Sequence, residues 1–360
     1  MRNVAITRPG DMPGRGRPGR RIGAGAVAAG LLLFGGATAC SSAGASSSGA
    51  SGSTAGSGTS ASQTSVSSVT LNIGDQAGSG AEALLTAAGL INKLPFKAHW
   101  SDFTSGPPML QAMGSGSVDI GGVGDAPPVF EASAGGQIAV VSALKTDVNA
   151  GALLVPQNSP IHSVAQLKGK DIAVAQGSSA NYHLLAILTK AGLTIKDVKV
   201  DDLQPADAQA AFATGHVAAW DVWSPFIEQA ESQDHARVLV NSSTIGETYS
   251  FEVASRAALS NPAKAAAIRD YLKLLDQAYT WAGTHQSAWA ATWAKATGLP
   301  LSVMTQAVKD DVDTPEPITP GVISSEQSVS NAFTSAGLIP SHVNFTDYAV
   351  TTFNNILGGS

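Results

Sequence analysis

Short apolar runs alternate with amphipathic segments along most of this chain, the spacing of an α/β protein. The runs predict strands at Val69–Ile73, Phe96–Phe103, Val118–Val123 and Ile138–Leu144, with helices between them at Ala81–Leu94, Pro108–Met113 and Pro127–Ala134. A second set repeats the alternation. Its strands fall at Asp171–Gln176, Val198–Leu203, Val217–Val222 and Arg237–Asn241. Helices at Asn181–Leu193 and Ala206–Ala213, and one opened by Pro225, complete it. Ala152–Val155 and Tyr249–Ala254 read as apolar crossings between the sets. After the second crossing helices dominate: one capped by Asn261-Pro262 and running through Trp281, others at Ser287–Gly298 and Ser324–Gly337. Two crossings predict a discontinuous first lobe (69–152 and 253–360), a continuous second lobe (153–252) and a hinge. Ligands favour the cleft between such lobes.

One unit occurs twice. Pro205 to Phe226 reads as helix, Gly215 turn, buried strand, a loop with Trp223 and Ser224, then a Pro-opened helix. Leu110 to Phe130 repeats it, with Gly116 on Gly215, Val123 on Val222, Asp125 on Ser224 and Ala126 on Pro225. In open α/β sheets ligands sit at the carboxyl ends of strands, facing the next helix N-termini. Trp220, Asp221, Trp223, Ser224 and Asp125 fall at such edges.

The N-terminus is of another kind. Six arginines opposed by Asp11 precede the apolar run Ile22 to Phe34, and Ala37-Thr38-Ala39 leads to Cys40, the one cysteine of the chain. A basic start, a short apolar stretch and small residues before the cut predict an export signal (1–39), too short to span a membrane as a helix. Cysteine at the cleavage point predicts lipidation at Cys40, as in a bacterial lipoprotein. Arg20-Arg21 leaves twin-arginine export open as an alternative. Residues 40–68 are Ser, Gly, Ala and Thr almost throughout, which predicts a flexible tether spanning on the order of 30 Å. With no second cysteine, no disulfide can form within the chain. Without the signal, 15 Lys and Arg face 26 Asp and Glu, a net charge near −11. That acidity and the lack of a basic run argue against nucleic acid. Any anion has to be held by local geometry.

Catalytic patterns are weak. Gly78-Ser-Gly80-Ala-Glu-Ala83 mimics a dinucleotide fingerprint, but its first glycine lies well past the strand end at Ile73. Ser142-Ala-Leu-Lys145 fits S-x-x-K on a predicted strand, without its partner motifs. The seven histidines are scattered, so neither a metal nor a cofactor is expected. Ile268, Tyr271, Leu272, Leu275 and Tyr279 at helical spacing read as core packing.

An ordered series of motifs is similar to the solute-binding proteins of ABC importers in the nitrate/sulfonate/taurine group, and most like the aliphatic sulfonate binders. It includes Phe103-Thr-Ser-Gly-Pro-Pro-Met-Leu, Asp125-Ala-Pro-Pro-Val-Phe, Leu167-Lys-Gly-Lys-Asp-Ile-Ala-Val, Gly177-Ser-Ser-Ala-Asn-Tyr and Ala219-Trp-Asp-Val-Trp-Ser-Pro-Phe. The resemblance runs from Val69 to Leu357. It implies a two-lobed periplasmic-binding-protein (type II) fold that delivers its ligand to a permease. A monomer on the outer face of the cytoplasmic membrane, held there by a lipid anchor, is the expected form. Asp75 stands where the group has an aromatic, and Ser224 where it commonly has Asp.

A sulfonate is a permanent anion with three acceptor oxygens, which a helix N-terminus suits. The candidate cradle is Gly177 to Asn181, with Ser178, Ser179 and Asn181 as donors; the alternative is that Ser179 merely caps the helix. Gln76 can donate from the end of the first strand. Trp220 and Trp223 can cover the apolar part of a ligand, one of the two being expected in the core. Phe103, Gly124 and Phe251 complete the candidate ligand-binding set. Asp125 is either a helix cap or, like Asp221, a receiver for an ammonium or hydroxyl on the ligand. Taurine, nitrate or another small anion is the alternative cargo. A periplasmic-fold enzyme of the pyrimidine-precursor type is the alternative class.

Overall fold

The computed structural model describes residues 66–76, 80–311 and 313–357. The export signal, Cys40, most of the tether and Gly78-Ser79 lie outside the described residues. The first series of elements is β1 (Thr70–Gln76), α1 (Ala81–Ala87), β2 (Lys97–Phe103), α2 (Gly106–Gly114), β3 (Ile120–Val123), α3 (Ala126–Ser133) and β4 (Ile138–Thr146). The second begins with β5 (Gly151–Pro156), β6 (Asp171–Val174), α4 (Ser179–Lys190) and β7 (Lys199–Asp202). It ends with α5 (Pro205–Ala213), β8 (Ala219–Trp223), α6 (Phe226–Gln233) and β9 (Ala236–Asn241). The chain then returns through β10 (Thr248–Ser255), α7 (Arg256–Ser260), α8 (Pro262–Thr284) and α9 (Gln286–Thr297). It closes with α10 (Leu301–Asp310), β11 (Thr314–Glu316) and α11 (Pro320–Ala336).

Two mixed sheets result, in the orders β11-β4-β10-β3-β1-β2 and β7-β6-β8-β5-β9. They share a plan. In the first, β1 runs parallel to β2 and β3, while β10 is antiparallel to β3 and β4. In the second, β6 runs parallel to β7 and β8, while β5 is antiparallel to β8 and β9. Thus β5 and β10 are equivalent: each is the first strand after the chain enters a lobe, and each sits inside its sheet. That position, buried on both faces, is why β5 is apolar through its middle and why β10 is mostly so, with Glu252 buried among apolar neighbours. The passages between sheets are therefore the segments 147–150 and 242–247, just outside the runs whose apolarity marks the crossings.

The repeated unit is visible as the two central β-strands. Gly116 (φ +83°) and Gly215 (φ +75°) end α2 and α5 in the left-handed region, which a side chain resists. β3 and β8 follow, then Asp125 and Ser224. The predicted helix Ala81–Leu94 is shorter than its pattern suggests. α1 stops at Ala87 because Gly89 turns left-handed (φ +69°), and Ile91–Lys93 forms only a 3₁₀ turn. α7, α10 and β11 lie where the sequence reading assigns no element, although Val303, Met304, Ala307 and Val308 bury one face of α10.

Apolar side chains cover both faces of each sheet. Gly74 and Gly121, paired between β1 and β3, leave room for Met109 of α2; a Cβ on either would collide with its thioether. A fifth cluster joins the lobes, with Leu185 and Tyr182 of α4 against Val129 and Phe130 of α3 and Phe333 of α11. The rings of Phe130 and Phe333 meet edge-on with centroids 4.8 Å apart. Elsewhere, Gln204 Oε1 accepts from Thr104 Oγ1 (2.8 Å) and Ser105 Oγ (2.7 Å), hydroxyls of the opposite lobe. Among the described residues no helix is long and apolar enough to cross a membrane.

Candidate functional site

A cavity of about 180 Å³ lies between the lobes, lined by both sheets' strand ends and by α8, α9 and α10. Among the helices that begin near its wall, α1 to α4 differ in what their first-turn amides have left to offer. At α1, the buried Asp75 carboxylate accepts from Ala81 N (3.0 Å) and Glu82 N (3.0 Å), as well as from Gln76 N (2.8 Å). α2 and α3 carry Pro107-Pro108 and Pro127-Pro128 in their first turns, which removes N–H donors. The amide that α3 keeps, Ala126 N, is taken by Asp125 Oδ1 at 2.7 Å. α4 differs. Ser178 is its cap, accepting from Asn181 N at 3.3 Å and donating to Ala175 O at 2.7 Å. Ser179 and Ala180 occupy the first two helical positions, whose amides have no intrahelical acceptor. Both residues line the cavity. At this end of α4 unpaired amides and the helix dipole act together, an arrangement that suits an anion.

Seven of the eleven expected ligand-binding residues line the cavity: Gln76, Gly124, Asp125, Ser178, Ser179, Trp223 and Phe251. Ser179 is not the cap, so its hydroxyl is directed to the cleft. It packs so closely on Gly124 that a Cβ there would overlap Ser179 Oγ, and it faces the Asp125 carboxyl. Asp125 does cap α3. Burial pushes its carboxyl up to about 7, against the opposing effects of the Ser179 hydroxyl and the Ala126 amide. Gln76 lines the cavity from the end of β1, and its Nε2 donates to Gly122 O in its own lobe at 2.7 Å. Phe251 is fully buried on β10, stacked on Tyr249.

The other four stand back from the cavity. Asn181 is buried beneath the turn, its Oδ1 accepting from Gly177 N at 3.1 Å and so shaping the cradle from behind. Phe103, at the end of β2, packs against the core on one face of the first sheet. Trp220 is core, between Phe212 and Phe226, while its neighbour Trp223 reaches the wall. Asp221 is 1% exposed, and both its oxygens lie 2.9 Å from His183 Nδ1. A ligand ammonium would have to displace that ring, so Asp221 does not serve as its receiver.

Several wall residues were not singled out from the sequence. His183 is one, and its pairing with Asp221 joins a helix to a strand 38 residues away, a relation that local spacing does not reveal. Tyr279, expected in the core, contributes to the wall, as do Trp289 and Trp293, whose rings stack 4.9 Å apart. Asp311 and Asp313 also line it. Burial raises both carboxyls, Asp313 to about 7, and each has an oxygen with no hydrogen-bond partner among the described residues. Among the described residues the lining holds no Lys or Arg. Among the described residues no group of three His, Cys, Asp or Glu side chains is placed to hold a metal ion.

Fold and cavity together define a two-lobed, periplasmic-type solute-binding architecture. The NMT1/THI5-like family model matches residues 105–288, half the chain. An Escherichia coli (strain K12) protein named as an aliphatic sulfonates-binding protein is 34% identical over 276 residues, 76% of this chain and 86% of its own length. The alkanesulfonate-binding protein SsuA from Xanthomonas axonopodis pv. citri, solved bound to MOPS, superposes with a TM-score of 0.74 at 31% identity, covering 79% of this chain and 99% of that one. The periplasmic aliphatic sulphonate binding protein SsuA from Escherichia coli superposes with a TM-score of 0.69 at 34% identity, covering 78% and 91%. The chain belongs to the NMT1/THI5-like family, and its relatives there are named as binding proteins.

Proposed function

We propose that this protein is an exported solute-binding protein that captures an aliphatic sulfonate between its lobes and hands it to the permease of an ABC importer. The observation that carries the reading is the bare N-terminus of α4 beside an apolar wall of Phe251, Trp223, Val123 and Leu144. The unpaired amides suit the sulfonate oxygens; the apolar wall suits the alkyl chain. Sulfonate needs no partner for a proton of its own, so donors without a strong acceptor are the right complement. The lobes close as units about residues 147–150 and 242–247, with Gln204 and the Phe333 cluster meeting as they do so. Cys40 carries a lipid that holds a monomer at the outer face of the cytoplasmic membrane, which mass spectrometry of membrane-extracted protein would detect as an acylated N-terminal cysteine.

Binding without turnover is the expected behaviour. The arrangement closest to an enzyme's is Ser179 with the His183–Asp221 pair, but the Ser179 hydroxyl faces Asp125 and His183 Nε2 makes no hydrogen bond to it. Titration calorimetry with ethanesulfonate, longer alkanesulfonates, taurine, nitrate and sulfate tests the reading. Micromolar affinity, about −8 kcal/mol, for an alkanesulfonate over nitrate and sulfate is expected. Preference for nitrate, or for no sulfur-containing anion, would overturn the cargo. A preference for taurine over its unsubstituted homologue would instead give Asp125 or the Asp311–Asp313 pair the ammonium.

A further inference from the structure

The cationic side chains that the cavity lacks are gathered elsewhere on the first lobe. Three arginines follow Cys40 in the sequence, and two of them, Arg256 at the start of α7 and Arg269 on α8, line one surface groove. Its floor is apolar, with Leu259, Val350 and Phe353. Each guanidinium lies over a ring: Arg256 Cζ is 5.7 Å from the centroid of Tyr348, and Arg269 Cζ is 5.2 Å from that of Phe353. Carbonyl oxygens hold both in place. Arg256 Nη2 donates to Asp347 O at 2.6 Å; Arg269 donates from Nη2 to Thr352 O at 3.0 Å and from Nη1 to Asn355 Oδ1 at 3.1 Å. These bonds leave N–H donors over on each fork. Among the described residues neither arginine forms an ion pair, and the groove's lining holds no Asp or Glu. After the signal the chain carries 15 Lys and Arg against 26 Asp and Glu, so two oriented and unpaired cations side by side are the exception on it.

Three elements fix where this groove faces. β1 ends at the cavity with Gln76, β10 begins there with Thr248 to Phe251, and α8 reaches it with Tyr279, Ala282 and Gly283. The opposite ends of the same elements are Thr70, Ser255 and Pro262. Arg256 follows Ser255 directly, and Arg269 lies in the first half of α8. The groove is therefore at the end of the first lobe away from the cavity, roughly 20 Å off along strands of seven and eight residues. The described chain enters at that end too, through the 3₁₀ turn Val66–Ser68, whose Val66 packs on the cluster that holds Ala267 and Ile268 of α8. We propose that the groove docks the first lobe on the membrane to which Cys40 is tethered, Arg256 and Arg269 each donating to a phosphate oxygen of an anionic phospholipid headgroup. The inference rests on the lipid-anchor reading for its occupant and not on the cargo. A phosphodiester is a permanent anion, and its oxygens suit a planar fork of donors. Each arginine at an anionic surface adds roughly fivefold to partitioning, so the pair gives about 25-fold. That is weak for a free protein and sufficient for one whose tether holds it at an effective concentration on the order of millimolar. The negative charge of the chain as a whole opposes docking, but salt screens it beyond about 8 Å, while the two guanidiniums meet the headgroups directly. Docked in this way, the cleft faces away from the lipid, towards arriving solute.

Vesicles test this. The chain from Cys40 onward is coupled through that cysteine to a maleimide lipid, in phosphatidylcholine alone or in an equal mixture with phosphatidylglycerol, and amide hydrogen exchange is read along the chain. Slower exchange at 256–269 and 350–353 on the mixed vesicles, absent on phosphatidylcholine and absent in Arg256→Gln/Arg269→Gln, is expected. The uncoupled chain should also co-sediment with mixed vesicles about 25-fold more weakly once both arginines are replaced. The unaltered protein decides the matter even where the double variant folds poorly: equal exchange on the two kinds of vesicle overturns the proposal. Protection of the cleft residues instead would put the other end on the membrane and overturn it as well. Protection by inorganic phosphate alone, without vesicles, would make the groove a site for a soluble anion and remove the lipid as its occupant. Because the coupling supplies the tether, none of these outcomes depends on acylation of Cys40, which mass spectrometry of membrane-extracted protein tests separately.

Discussion

At residue scale the cavity depends on one missing side chain. Gly124 has ordinary backbone angles, so its need for glycine is not conformational; it comes from Ser179 Oγ, which occupies the space a Cβ would take. Ser179 and Gly124 belong to opposite lobes, so the contact exists only when the lobes meet. Gly124→Ala should therefore weaken ligand binding by at least about tenfold, 1.4 kcal/mol, while leaving the melting temperature of the ligand-free protein nearly unchanged. Removing the hydroxyl as well, in Gly124→Ala/Ser179→Ala, should recover part of that loss if overlap is the cause. Calorimetry on the two variants decides it: a double variant weaker than the single by the full worth of the hydroxyl would mean that overlap is not what Gly124 avoids. The sequence marks both residues as cleft candidates through their place in strand-to-helix loops. Their contact is a tertiary fact.

At the scale of elements, β8 shows how one strand divides its labour. Trp220 and Trp223 look alike in the sequence, and alternation with Val222 says only that they cannot all do the same thing. In the folded strand Trp220 is enclosed by Phe212 of α5 and Phe226 of α6, and Trp223, at the strand end, borders the cavity. Trp220→Ala should cost about 3–5 kcal/mol of stability, the usual range for deleting a buried large aromatic. Trp223→Ala should cost much less stability and more affinity. Denaturant melts paired with ligand titration separate the two; equal stability losses would show that both rings are core. A similar division holds for helix starts. Pro107-Pro108 and Pro127-Pro128 are plain in the sequence and remove amides from α2 and α3. Asp75 takes those of α1 across a gap in sequence, as the structure reveals.

At the scale of the whole molecule, acids are buried both in the cavity wall, as Asp125 and Asp313 are, and away from it, as Glu228 and Glu252 are. Burial raises Asp125, Glu228 and Asp313 to about 7 and Glu252 to about 8. Between the ordinary carboxyl range and these values the folded protein keeps protons that the unfolded chain has lost, so stability falls as pH rises through that window. His183 acts in the same direction: its folded pKa is raised, so its contribution is complete below the ordinary histidine value and lost above the folded one. Asp197, held at about 2 by the Thr194 backbone amide and hydroxyl and by Lys168, and Glu247, lowered by Lys145, oppose this only in stronger acid. The melting temperature should therefore be higher at pH 6 than at pH 8.5. Calorimetric scans showing the reverse would mean that these acids are ionised in the native state. Neutral carboxyls also fit the proposed function, since they do not repel an anion and can donate to it.

The α/β class, the repeat of helix, glycine turn, strand and loop, and the two-lobed plan were readable in the sequence. Each is written in local patterns: apolar runs as long as strands, glycines where a helix must turn left-handed, prolines that open helices. Ser178 to Ala180 could be placed at a helix start by the same means. What local pattern could not carry is which polar groups remain unpaired once the chain has folded. Asp221 looked free and is consumed by His183, a residue 38 positions away on α4. Such outcomes depend on which side chains from distant elements arrive first at each donor and acceptor, and that is settled by packing the two sheets, not by the order of residues along the chain.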